Sequence, residues 1–185
     1  MRAPLLAGSS FTAALALVAL SAPGAGAAGP FTVVSERFAP ASAFVPPAAV
    51  SFAPDLVPYG STLRAVVLQV DGHTRVRLTA TGLAPGHSFP AHVHTRACDA
   101  VPTASGPHYQ DRVDPVQPST DPGYANERNE LHLLLSTDQD GNGEAVADVD
   151  WTFRPGEANS VVLHAGSAAG QHAAGERVAC LNVPF

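Results

Sequence analysis

The chain has 185 residues, only 14% of them charged, with 17 Pro and 16 Gly. Its ten basic residues are all Arg, and against sixteen Asp and Glu they leave a formal net charge of −6 with His neutral. That balance excludes nucleic acid and anionic membrane surfaces as electrostatic partners, and it repels a small anion unless a local Arg overrides the field.

The first 28 residues have the pattern of a cleavable signal peptide. Arg2 is a minimal positive head, Phe11 to Leu20 is an apolar run, and Ala25-Gly-Ala27 is an A-x-A cleavage site. The run is too short for a membrane span, and no Cys stands near the cleavage point to take a lipid, so no membrane anchor is expected. The reading is an exported, soluble, extracytoplasmic protein. Loss of Arg2 with the leader leaves nine Arg against sixteen acidic residues, a net charge of −7. The two Cys, Cys98 and Cys180, then read as one disulfide closing a long loop. The remaining length fits one domain.

Residues 29–48 are rich in Pro, Ala and Ser and read as a linker or loosely attached arm, with Phe31–Val34 a candidate edge strand. From residue 49 to 185 the pattern is β. Candidate strands are Ala49–Ala53, Leu63–Val70, Thr74–Thr81, Ser88–His94, Leu131–Thr137, Glu144–Trp151, Ser160–His164 and Arg177–Asn182. Asp71-Gly72 marks a hairpin turn, and Asp138-Gln-Asp-Gly-Asn-Gly143 a second turn. No stretch keeps a helical period with caps. Eight short strands with these turns predict an all-β antiparallel sandwich or barrel. Two irregular stretches interrupt the rhythm, 109–130 and 165–176, and each follows a His directly. Loops as long as the first are commonly functional.

The chemistry lies in Pro90-Ala-His-Val-His94, Ser105-Gly-Pro-His108 and Val161-Val-Leu-His164. His92 and His94 stand two apart in a strand, so both rings leave one face. Four neutral imidazoles suit Cu(II), and imidazole also suits zinc. The other histidines read differently: His73 beside a hairpin turn and His87 in a Pro-Gly loop are surface or hydrogen-bonded residues, His172 in a Gly/Ala loop is a surface residue, and His132 alternates within a strand and faces either solvent or core. Arg177 lies three residues before Cys180, where a pinned guanidinium would attract an anion. Glu130 enters a strand directly, unlike the other carboxylates of its loop. No Ser has a nucleophile-elbow context, so Ser/His/Asp hydrolysis has no support.

Taken in order, Pro90-Ala-His-Val-His94, Cys98, Ser105-Gly-Pro-His-Tyr109, Asp138-x-Asp-Gly141, Val161-Val-Leu-His164 and Gly175-Glu-Arg-Val-Ala-Cys180 resemble the copper/zinc superoxide dismutase family from about Thr74 to Cys180. The resemblance implies an eight-stranded Greek-key sandwich. It implies that His92, His94, His108 and His164 bind one copper, with His108 in the position that bridges copper and zinc. It makes Arg177 the anion-guiding arginine and Cys98–Cys180 the intrasubunit disulfide. The departures are as informative. No His follows His108 before His132, Leu131 falls where the family carries its zinc Asp, and only Glu176 stands as an acid between His164 and Arg177. The pattern resembles the copper-only branch, and zinc is not expected. In such a protein the outer nitrogen of His108 still needs a partner, and Glu130 is the candidate, with Glu127 the fallback. The expected function is superoxide dismutation, by copper with His108 and Arg177 as the catalytic side chains. The alternatives are a copper buffering or delivery protein of the same fold, or a non-catalytic secreted β-sandwich.

Overall fold

A computed structural model describes residues 30–42, 44–166 and 175–185. The expected signal peptide and His172 lie outside the described residues. The chain forms ten strands: β1 Phe31–Arg37, β2 Ala39–Pro40, β3 Ala49–Ser51, β4 Thr62–Val70, β5 His73–Thr81, β6 Ser88–His94, β7 His132–Thr137, β8 Gly143–Val149, β9 Ser160–His164 and β10 Arg177–Asn182. Eight of them are the eight strands expected from the sequence, with ends shifted by two residues at most. The ninth and tenth, β1 and β2, come from the segment 29–48. That segment, expected as a linker or arm, is part of the sheet; the candidate edge strand at Phe31–Val34 extends to Arg37.

All ten strands belong to one sheet, in the order β1-β4-β5-β8-β7-β6-β9-β10-β3-β2. β5 lies beside β8 and reaches β6 only by passing over both β8 and β7, the arrangement of a Greek key. The ends of the sheet are β1 and β2, and a single residue, Phe38, separates them in sequence. Its backbone bonds to Ser61 and Gly60, and its ring is 2% exposed. The sheet therefore curls until its two edges meet at one buried ring, which nearly closes a barrel.

Alternation accounts for the interior. β5 alternates buried and exposed residues along its length, with Thr74, Val76, Leu78 and Ala80 inward and Arg75, Arg77 and Thr79 toward the wet face. The core gathers these with Leu63, Ala65, Val67, Phe89, Ala91, Leu133, Leu135, Val161, Leu163 and Leu181. The β4–β5 hairpin turns on Asp71 and Gly72, both at positive φ (51° and 82°), as a two-residue hairpin loop with right-handed strand twist requires. Cys98 and Cys180 are joined as a disulfide. It ties the loop after β6 to the middle of β10.

Candidate metal centre

β6 and β9 are neighbours in the sheet, with Ala91 opposite Leu163 and His92 opposite Val162. The pairing is antiparallel, so the strand ends do not coincide; instead the register puts His92 and His94 of β6 and His164 of β9 on one face of the sheet. His108 arrives by a different route. After the disulfide loop, residues 105–109 return antiparallel to 93–96. The bonds are Arg96 N to Ser105 O (2.9 Å), Thr95 N to Pro107 O (3.1 Å) and Tyr109 N to Val93 O (2.7 Å), with His94 and His108 as bridge partners. The return needs Gly106, at φ +76°, where any side chain would collide with Thr95 and Arg96.

The four rings converge. His92 stacks on His108 with centroids 4.1 Å apart, and the remaining contacts of His94, His108 and His164 span 4.8–5.7 Å. His92, His94 and His164 are 1%, 0% and 2% exposed. One ligand nitrogen from each of His92, His108 and His164 lies within 4.8 Å of the other two.

The backbone fixes the tautomers. His94 donates Nδ1–H to Gly106 O at 3.0 Å, and His164 donates Nδ1–H to Gly175 O at 2.9 Å. A carbonyl only accepts, so in each neutral ring the bare lone pair is on Nε2. Those two Nε2 atoms face one another at 3.4 Å. Nor does protonation supply the missing hydrogen. Burial first, and His108 among the neighbouring charges, push His94 down to about 2 and His164 to about 4. Burial and the surrounding imidazoles push His92 down as well. Among the described residues, His92 Nδ1 is buried with no hydrogen-bond partner. Two opposed lone pairs and an orphaned nitrogen in a dry cluster are repulsive as they stand. A cation bound between them removes the conflict, and an all-imidazole donor set suits copper, zinc and nickel.

His108 is held from its other side. Glu130 Oε2 accepts its Nδ1–H at 2.8 Å, which leaves Nε2 for the cluster. Glu130 Oε2 also accepts from His132 Nε2 at 3.1 Å, and Oε1 accepts from Gln110 Nε2 at 2.8 Å. Burial alone would raise this carboxyl, yet the hydrogen bonds from His108, His132 and Gln110 outweigh it and hold it down to about 2. Glu127, the fallback, is exposed. His108, Glu130 and His132 form a second set whose ligand atoms lie within 4.8 Å of one another. In the structure that set is closed by its own hydrogen bonds to the shared carboxylate. Leu131 is buried in the core and offers no donor.

Arg177 stands opposite His164 across the β9–β10 ladder, just before a register shift. Its guanidinium donates to Pro102 O (3.0 Å), Ser105 Oγ (2.9 Å) and Gly106 O (2.7 Å). Gly106 O is thus shared by Arg177 and His94. The loop that receives Arg177 is the one the disulfide tethers. Arg177, His164, His108, His92 and Glu130 line one cavity of about 480 Å³. Elsewhere His73 pairs with exposed Asp150 at 3.1 Å, and His87 packs against Phe89; neither reaches the cluster.

No protein-family model and no curated protein sequence matches the chain. Solved structures do. The Cu/Zn superoxide dismutase from Brucella abortus aligns with a TM-score of 0.50 at 18% identity, over 83% of this chain and 99% of that one. A double mutant of a superoxide dismutase-like protein from Bacillus subtilis aligns with a TM-score of 0.48 at 14% identity, over 66% and 88%. The chain has the Cu/Zn superoxide dismutase fold. Within that fold, β6, the return at His108 and β9 supply the four imidazoles, and Glu130 occupies the outer side of His108, where the resemblance puts zinc.

The fold brings together the quartet, Arg177 and Glu130 that sequence reasoning singled out, and adds two neighbours to which that reasoning gave no role. His132 was legible in principle: it stands two residues after Glu130, on the same face, and directly across from His92 in the β6–β7 ladder. Gln110 carries no such signal, because it lies in an irregular segment whose path only the fold supplies.

Proposed function

We propose that the chain is an exported, copper-dependent superoxide dismutase that works without zinc, converting two superoxide and two protons to dioxygen and hydrogen peroxide. The observation that carries the reading is the pair of His94 and His164 Nε2 lone pairs, 3.4 Å apart with both Nδ1 protons committed to carbonyls. His92, through Nδ1, and His94, His108 and His164, through Nε2, would hold the ion. Copper would supply the one-electron oxidation and reduction that neither His nor Arg can perform. The protein supplies the rest. Arg177 attracts and orients the anion at the mouth of a chain whose net charge repels it. Glu130 keeps one His108 proton on Nδ1, so His108 Nε2 is the atom turned to the cluster; it would carry a proton toward the substrate only when it is not serving as a ligand. The disulfide and the leader sequence support an oxidising, extracytoplasmic setting.

A copper carrier of the same fold is the competing reading. The burial of His92, His94 and His164 argues against it, since a carrier must present ligands to its partner. An anchored guanidinium beside the cluster likewise serves an anion rather than a second metal site. The deciding experiment is metal analysis with superoxide-dismutating turnover on one purified sample. About one copper per chain with turnover is the expected result. Copper without turnover, surrendered readily to a chelator, would establish the carrier instead, and a protein that retains no copper would be a structural module.

A further inference from the structure

We propose that His132 is a positioning residue of this centre: it clamps Glu130 against His108 and thereby fixes a ligand ring from outside the cluster. The inference rests on the proposed copper reading for its purpose, but its geometry stands without the ion.

His132 is the first residue of β7 and the cross-strand partner of His92 on β6. Its ring meets the His92 ring edge-on, with centroids 4.6 Å apart at 79°. Its Nε2 lies 3.1 Å from Glu130 Oε2, the oxygen that also accepts from His108 at 2.8 Å. One carboxylate oxygen facing two imidazole nitrogens accepts from both, so both rings are donors: His108 through Nδ1, His132 through Nε2. The lone pair of His132 is then on Nδ1, which is buried and has no partner. Among the described residues, the bond to Glu130 is the one hydrogen bond made by the ring.

The direction of control follows from where each residue sits. His108 is carried by an irregular return, and Glu130 ends a loop of some twenty residues. His132 alone is set by a ladder in the middle of the sheet. The strand positions His132, His132 with Gln110 positions the carboxylate, and the carboxylate sets the tautomer and tilt of His108. The contacts form a ring, His92 to His132 to Glu130 to His108 and back by the 4.1 Å stack. In metal centres, partners that orient a ligand from outside are typically worth about 10–100-fold in affinity or activity.

The test begins with copper-free protein. In its imidazole ¹⁵N and ¹H spectra, His132 should carry its proton on Nε2 and His108 on Nδ1, with a slowly exchanging His108 Nδ1–H; the opposite His132 tautomer would overturn the proposal without any variant. His132→Phe keeps a ring against His92 and removes the donor, and His132→Gln keeps a donor. The His108 Nδ1–H signal should vanish in the Phe variant and persist in the Gln variant. Transfer of Cu(II) to a chelator should speed up about tenfold in Phe and return toward wild type in Gln. A signal and a transfer rate unchanged in Phe, or Gln behaving as Phe, would refute the clamp. Failure of the wild-type protein to bind copper would instead defeat the functional reading, and the copper-free spectra would still decide the clamp.

Discussion

A neutral imidazole has one proton to place, and at His94 and His164 the backbone decides where it goes. Removing any ring of the quartet removes a ligand that the others cannot replace, so His92→Ala and His164→Ala should each abolish tight copper binding, while His73→Ala, on the surface, should leave it intact. Metal content after dialysis against a weak chelator reads the difference. Glu130→Gln keeps the shape of the side chain and loses its charge; it should lower copper retention or turnover by about tenfold or more, against no change for exposed Asp121→Asn. Arg177→Ala should leave copper bound and lower the rate of superoxide capture about tenfold at low ionic strength, with a flatter dependence on salt. A rate unchanged in dilute buffer would remove Arg177 from the path of the substrate. These residues were legible in the sequence for unequal reasons. His92 and His94 announce themselves by spacing alone. His108 and His164 needed the resemblance, because nothing local tells that three segments meet. Gln110 needed the fold.

At the scale of elements, strands with one wet face were read nearly to the residue, because alternation is a local signal and β5 displays it over nine positions. The segment 29–48 was misjudged because its composition, rich in Pro and Ala, resembles a linker, and its strands exist only by pairing with β4 and β3. Phe38 makes that segment part of the structure. Its ring fills the seam where the sheet edges meet, and Phe38→Ala should cost about 3 kcal/mol, measured as a lower urea midpoint at unchanged slope. A chain with a dispensable arm would show no shift. The long connection between β6 and β7 has the opposite character. Apart from a 3-10 turn at Pro102–Ser105 and the bridge of His108 to His94 it is irregular, yet it delivers His108, Gln110 and Glu130, whose side chains hold one another.

At the scale of the whole molecule, the histidine cluster sets the response to acid. His92, His94 and His164 titrate at 6.5 in an unfolded chain and are pushed down in the folded one, chiefly by burial. Below 6.5 the unfolded chain takes up protons that the folded chain refuses. Copper-free stability is therefore complete above that pH and falls as pH drops toward about 4, where His164 itself protonates in the fold. Each such proton contributes about 1.4 kcal/mol per pH unit. Denaturant titrations at pH 7.5 and 5 should show the loss in copper-free protein and little of it in the copper-loaded form. The seam at Phe38 has one more consequence. β1 covers the length of β4, seven residues paired from Phe31 with Leu68 to Arg37 with Thr62. Stripped of that cover, nine residues of β4, with Leu63, Ala65 and Val67 behind them, would present a free run of backbone donors and acceptors. Chains cut before Ala41 should therefore find one another: light scattering and size exclusion should report dimers or larger aggregates joined edge to edge, where the intact chain, by keeping its first strand on its longest one, resists amyloid-like self-recruitment.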